Sequence, residues 1–450
     1  MAHPLSGAFR EQAAGCLPGS PLYGRLLAAM ADDLDAGGVT ADVLAGRERD
    51  RPGTVPPLRL LGGLHRLVLT GRAPHLARYY PSAGGAEPPG RVWSAAEPAL
   101  RAHLTELRQL LDRTVQTNEP GRACLLYGGL LVAAQRAGAA QLSAAGIRSA
   151  GARAAGVREV EAREVGAGAV EARAAGARGA GAREAAAPAA EARGAGAREA
   201  AAPADGESAA GGLVAGRGAV DADASAAAVG AGHARSAGMP VRLLEVGASA
   251  GLIMLVDRYG YAVGDRVLGG AGSPLRFEQP WVGVPAADLD LPVEIVERRG
   301  CDPNPIDPGT AEGRLTLLSY VWPDWTERVD RLVSALQLAA VAPPPVDRAG
   351  MAGWLGSQLA SPRPGVLTVV WHSVVRQYID FPERDAGRAV LARAAAAATP
   401  EAPLAYLRFE QRRRPDRRLQ FELVLTCWPG DGRDELLAIA PGHGIPATWQ

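Results

Sequence analysis

Glu245, Gly247 and Gly251, in the stretch LLEVGASAGL, set an acid and two glycines across one turn. An apolar run that ends in Glu-x-Gly and passes through Ala248, Ser249 and Ala250 into a further apolar segment reads as a strand–turn–helix junction. At such a junction backbone amides and one side chain can face a ligand. The spacing Glu-x-Gly-x-x-x-Gly is not the G-x-G-x-x-G of dinucleotide sites, and a carboxylate at the strand end repels a pyrophosphate. It suits instead a ligand that carries an ammonium or a sulfonium.

Other chemistry-bearing residues fall at comparable breaks. VVWHS places Trp371, His372 and Ser373 at the carboxyl end of an apolar run, where ligands sit in open α/β sheets. A histidine there, with a free pKa near neutrality, is a candidate general base. His372 and Ser373 do not make a nucleophile pair, because neighbours on a strand point to opposite faces and no G-x-S-x-G elbow is present. TNEPGR clusters Thr117, Asn118, Glu119 and Arg122 between two helical patterns. Asn118 or Glu119 caps the following helix, or these groups reach the substrate, with Glu119 a second catalytic candidate. Tyr320, Trp322 and Trp325 in SYVWPDW line a pocket or pack in a core.

The elements that position these residues fall into three parts. Residues 1–142 read as helical: Ser20 caps a helix with Pro21 at its first position, and Leu22, Leu26, Leu27 and Met30 share a face. PPLRLLGGLHRLVLTG repeats the pattern with Gly71 as its stop, ALRAHLTELRQLLDRTV gives a third helix and GRACLLYGGLLVAAQRA a more buried fourth. Residues 143–238 are almost all Ala, Gly, Arg, Glu and Pro, and RGAGAREAAAPA occurs at 178–189 and again at 193–204. Such a segment buries too little apolar surface to offset its ordering entropy and reads as a disordered linker. Residues 239–450 alternate short apolar runs, VRLLEVG, VEIVERRGCD, VLTVVWHS and LAYLRFE, with helical stretches. The helical stretches are GLIMLVDRYGY, TERVDRLVSALQLAA and ERDAGRAVLARAAAA. LQFELVLTCWPGDGRDELLAIAPG then gives two further strands, joined by Pro429–Asp434 in an antiparallel hairpin with no helix between them. The expected fold is therefore α/β: a Rossmann-like, mostly parallel sheet closed by a C-terminal antiparallel hairpin, with a helical N-terminal region.

Bulk properties exclude several classes. The formal net charge is zero, against a protein built to coat nucleic acid or an anionic membrane. The chain contains no lysine, so lysine Schiff-base chemistry is excluded. Cys16, Cys124, Cys301 and Cys427 stand too far apart for a zinc motif or a compact disulfide framework, and no metal ligand set is expected. The first residues lack the order of a signal peptide, and the apolar stretch around Cys124–Ala134 is shorter than a bilayer span. A soluble, cytoplasmic protein is expected. The arginine run Arg412–Arg418 reads as a solvated loop, with nucleic-acid contact as the weaker alternative.

The glycine-rich turn led by Glu245 resembles motif I of class I S-adenosylmethionine-dependent methyltransferases. The whole chain outside the linker resembles the DUF2332 proteins, an actinobacterial family of unknown function, through GSPLYGRLL, PPLRLLGGLHRLVLTG, VQTNEPGR, LLEVGASAGL, RRGCDPNPID, LLSYVWPDW and VVWHSVV. The methyltransferase resemblance implies S-adenosylmethionine as cofactor. It places Glu245, Gly247, Ser249 and Gly251 around the methionine part, and Asp302, in GCDPNP, on the ribose hydroxyls. An insertion around GDRVLGGAGSPLRFEQPWVGVP accounts for the long interval between Gly247 and Asp302. Asn118, Arg122, Trp322 and Trp371 fall to the substrate and His372 and Glu119 to catalysis. Two departures from the pattern are Ile253, where relatives carry an amide, and Gly350-Met351, where an acid often meets the adenine. The implied function is methyl transfer to a small molecule or a protein. The alternatives are a non-catalytic ligand-binding or regulatory protein of the same fold and, more weakly, a nucleic-acid-modifying enzyme.

Overall fold

Apolar periodicity builds the N-terminal helices, and the computed structural model places them as α1 (Ser6–Cys16), α2 (Pro21–Asp35), α3 (Val39–Leu44), α4 (Pro56–Leu69), α5 (Pro74–Ala77), α6 (Val92–Ala102) and α7 (Leu104–Leu110). The structure describes residues 2–48, 55–113, 115–116, 118–165, 238–414 and 419–450. Ser20 caps α2 by accepting from the Tyr23 amide, with Pro21 in the first turn. The third expected helix is broken at His103 into α6 and α7. Phe9, Leu26, Leu27, Met30, Leu60 and Leu64 form the centre of a core confined to this region.

The fourth helix, α8 (Ala123–Val165), runs beyond the expected boundary at residue 142. Residues 166–237, most of the expected linker, lie outside the described residues. Two compact units divide the chain, residues 1–139 with 201–450 and residues 140–200, and the described part of the second continues α8. The helical region and the sheet thus belong to one unit, with the first part of α8 in the core of the sheet. Leu126, Leu130 and Leu131 of α8 cluster with Leu243, Trp371 and Leu407, which are strand residues. Pro120–Ala144 is long and apolar enough to cross a membrane, contrary to the expectation from its apolar centre, but most of its apolar window is buried inside the protein.

Among the described residues nine strands form one sheet. The order is β5 (Trp281–Val282), β12 (Ala447–Trp449), β11 (Glu435–Ala440), β10 (Leu419–Trp428), β9 (Leu404–Arg413), β8 (Leu367–Ser373), β1 (Val241–Val246), β6 (Ile295–Asp302) and β7 (Val346–Arg348). The run from β7 to β9 is parallel, and β9, β10, β11 and β12 pair antiparallel in sequence. The expected hairpin is β10–β11, one step of a longer meander.

Helices cover both faces of the parallel part, so β1 is buried along its whole length. Leu243 faces α8 and α10 (Thr326–Val341), whereas Leu244 and Val246 face α11 (Met351–Gln358) and α12 (Phe381–Ala396). α9 (Ala311–Ser319) leans on α4, with Arg66 of α4 and Glu312 of α9 in an ion pair. The segment GLIMLVDRYGY is not the expected α-helix. Leu252–Arg258 forms a 3-10 helix kinked at Leu255, and the chain enters a small sheet of β2 (Gly260–Val263), β3 (Arg266–Gly269) and β4 (Arg276–Glu278). This small sheet and β5 are the material inserted between β1 and β6.

Candidate functional site

The carboxyl ends of β1, β6 and β8 open onto a cavity of about 460 Å³. Glu245, Gly247 and Ser249 line it from the β1 turn, Asp302 from β6, and Asn118 and Arg122 from the segment before α8. Six residues from three separate places in the sequence therefore meet around one space, a common size for a small-molecule site.

Three oxygens in this cavity stand out. Glu245 Oε2, Ser249 Oγ and Asn118 Oδ1 are buried and have no hydrogen-bond partner among the described residues. Buried polar atoms are nearly always paired, so these three orphans, on residues that line one space, leave acceptors for a ligand or water to satisfy, and Arg59 Nε, on another lining residue, leaves one donor. Burial pushes the Glu245 carboxyl up from an ordinary 4.5 to about 8; the Trp371 indole and Arg122 favour the charged form but do not outweigh it, and Asp302 adds to the rise. Trp371 is the cross-strand partner of Glu245 and its Nε1 is also without a hydrogen-bond partner.

Asp302 differs from Glu245 in its bonding. Its Oδ2 accepts from the Ser249 amide at 3.0 Å and its Oδ1 from the Asn304 amide at 2.8 Å. It ties the end of β6 to the β1 turn. Asn118 Nδ2 donates to the Ala248 carbonyl at 3.0 Å, and Arg122 Nε donates to the Gly442 carbonyl at 2.9 Å.

The turn itself is close-packed and bent. Gly247 has φ +72°, and a Cβ there would lie 2.3 Å from Cγ2 of Val375. Gly251 also has φ +72° and does not line the cavity; it lets the chain pass Met254 and Pro344. The amides of Gly247 and Ala248 donate to the Cys301 carbonyl at 2.9 and 3.0 Å, so they serve the turn and not a ligand. Ser249 (φ +53°) and Val374 (φ +52°) are left-handed without being glycine, and both line the cavity. Such strain, worth about 1–3 kcal/mol per residue, persists where the surroundings hold it and gathers at ligand sites.

Other sequence candidates lie elsewhere. Glu119 does not line the cavity: it accepts from the Gly121 amide at 3.1 Å and from Arg328 Nε at 2.6 Å. Burial alone would raise its carboxyl, but Arg328, Arg331, Arg122 and the Gly121 amide hold it below the usual range. Trp322 packs beside Tyr23 and Trp325, near the N-terminal core, and Trp371 is fully buried beneath Glu245. His372 faces away from the cavity, across β8, and bonds Glu410 and Tyr406. Asp347, the acid nearest Gly350, pairs with Arg299 and accepts from the Trp354 indole. Arg412 and Arg414 both lie against Glu422. Thr117 and residues 415–418 lie outside the described residues. Among the described residues no group of His, Cys, Asp and Glu is arranged to hold a metal ion.

Sequence reasoning missed Tyr406 and Glu410. In LAYLRFE, the residues Tyr406, Arg408 and Glu410 alternate with apolar ones, a polar stripe on one face of a strand otherwise read as core.

Fold and cavity together define an α/β protein with a cavity of about 460 Å³ at the carboxyl ends of its parallel strands. The chain belongs to the DUF2332 family, described as an uncharacterized protein conserved in bacteria, whose model matches residues 6–153 and 224–449. No curated protein and no solved structure matches the chain.

Proposed function

We propose that the Glu245 cavity binds S-adenosylmethionine and that the protein transfers its methyl group to a small-molecule or protein acceptor. The observation that carries this reading is the convergence of three unpartnered acceptors, on Glu245, Ser249 and Asn118, on one cavity. A cluster of acceptors selects a ligand rich in donors, such as an amino-acid ammonium with neighbouring hydroxyls.

When bound, the sulfonium supplies an electrophilic methyl group, so the protein's contribution is chiefly to position donor and acceptor. Glu245 holds the ammonium and gives up its own proton as it does so, because a cation beside it favours the carboxylate. Ser249 and Asn118 accept from the remaining donors. Asp302 acts as a positioning residue, holding Ser249 and Asn304 by their amides.

The test is calorimetry of the full chain with S-adenosylmethionine and S-adenosylhomocysteine. Saturable binding of both, weakened at least roughly tenfold in Glu245→Gln, is expected from losing a charge-assisted hydrogen bond. Folded protein that binds neither ligand overturns the reading. A second reading, a ligand-binding protein without turnover, is favoured by one observation. Among the described residues the carboxylates lining the cavity are Glu245 and Asp302, and His372 lies across β8, so no histidine or further carboxylate among them faces the ligand. Binding with no methyl transfer across an acceptor panel would select it.

A further inference from the structure

Trp371 and His372 alternate along β8, so the histidine lies on the face covered by α11 and α12. A second cavity, of about 340 Å³, opens there. At its floor Glu410, His372 and Tyr406 form a chain: His372 Nδ1 is 2.7 Å from Glu410 Oε1, and its Nε2 is 2.7 Å from the Tyr406 hydroxyl. Glu410 Oε1 also accepts from the Val375 amide at 3.0 Å and the Arg376 amide at 3.2 Å. This chain fixes the Tyr406 hydroxyl at the cavity floor.

The walls are basic. Five arginines line this cavity against three acids, and each acid already has its cation or donors. Glu410 is held as above, Asp434 pairs with Arg408 and accepts from Thr426, and Glu422 lies between Arg412 and Arg414. Arg388 pairs with Asp385. Arg376 and Arg384 remain. The Arg376 guanidinium makes no hydrogen bond or ion pair among the described residues. Arg384 lies 4.2 Å above the Phe381 ring and reaches one backbone carbonyl, of Asp380, at 3.4 Å. Stacking on a ring face leaves the edges of a guanidinium open to an anion.

We propose that this second cavity binds a small phosphorylated molecule, its phosphate monoester held between Arg376 and Arg384 with the Tyr406 hydroxyl beneath. Two guanidinium groups from different elements match a phosphate, which offers three oxygens, better than a single carboxylate. A volume of about 340 Å³ suits a small molecule. The proposal stands on its own residues and does not rest on S-adenosylmethionine filling the first cavity.

The test titrates the full chain with inorganic phosphate and with glycerol phosphate, at an ionic strength fixed with chloride. Saturable binding of both is expected, the ester at least as tightly as the free anion. The double variant Arg376→Gln/Arg384→Gln should bind at least roughly tenfold more weakly, with its circular dichroism and its Tm in chloride unchanged. Tyr406→Phe should weaken binding a few-fold. Absence of phosphate binding by the folded protein overturns the proposal, as does equal binding by the double variant or exclusion of the ester. Tighter binding of a single-stranded oligonucleotide through the same arginines would also overturn it, assigning the patch to nucleic acid.

Discussion

Glu119 and Glu245 are the same side chain at nearly the same burial, 4% and 2% exposed, yet their carboxyls move in opposite directions. Around Glu119 the protein supplies three arginines and a backbone amide, which overcome the burial. Around Glu245 it supplies an indole that completes no hydrogen bond and one arginine, and burial prevails. A buried acid with a complete set of partners holds structure together, whereas one with an orphan oxygen waits for something from outside. The comparison sets Glu119 in the scaffold and leaves Glu245 as the candidate for the proposed ligand, although both stood as site candidates in the sequence.

Removing a scaffold partner should produce the largest effect. Glu119→Ala takes the buried carboxylate away from a half-buried Arg328, and a stability loss of about 3 kcal/mol is expected in urea denaturation. A loss below about 1 kcal/mol would place Glu119 among the ligand groups after all. The lowered carboxyl of Glu119 also means its contribution is present above the ordinary 4.5 and fades as pH falls below it. Asp302→Ala ranks next. It strands the Ser249 and Asn304 amides, and a cost of roughly 2–3 kcal/mol follows from two lost bonds to a charged acceptor.

Glu245 should behave with the opposite sign. Its folded carboxyl titrates near 8 and its unfolded one near 4.5, so the native state holds the extra proton between those values. Its contribution to stability is present in full below 4.5 and is lost as pH rises toward 8, at about 1.4 kcal/mol per pH unit within that window. Glu245→Gln keeps the neutral form at every pH. The stability difference between variant and wild type should therefore grow in the variant's favour from pH 5 to pH 8. A difference that stays flat over that range would mean Glu245 is already ionised and partnered.

Much of this was legible in the sequence, and unevenly so. Turns and strand ends carry local signatures, so Ser20, Gly247 and the four main parallel strands were readable from spacing alone. The meeting of Asn118 and Arg122 with Glu245 was readable only as an option, because it depends on how the segment before α8 lies over the sheet. The end of α6 at His103 and the 3-10 path of Leu252–Arg258 were not readable, since tertiary packing there overrides an apolar spacing that suits a helix. His372 was found and misplaced relative to the first cavity. Strand alternation fixes which neighbours share a face, but not which face meets the Glu245 cavity.

The smallest expected effect separates the two kinds of buried polar group most finely. Ser249 Oγ has no partner, so its removal takes away no bond, and the left-handed backbone at φ +53° is no harder for alanine than for serine. Ser249→Ala should therefore change stability by less than about 0.5 kcal/mol. If the hydroxyl serves a ligand, the same variant should still lose affinity for S-adenosylmethionine by roughly three- to tenfold, the worth of one neutral hydrogen bond. Equilibrium unfolding and calorimetry on one preparation check both halves. Stability lost without affinity would move Ser249 to the side of Glu119 and Asp302 and leave Glu245 with fewer neighbours for any ligand to meet.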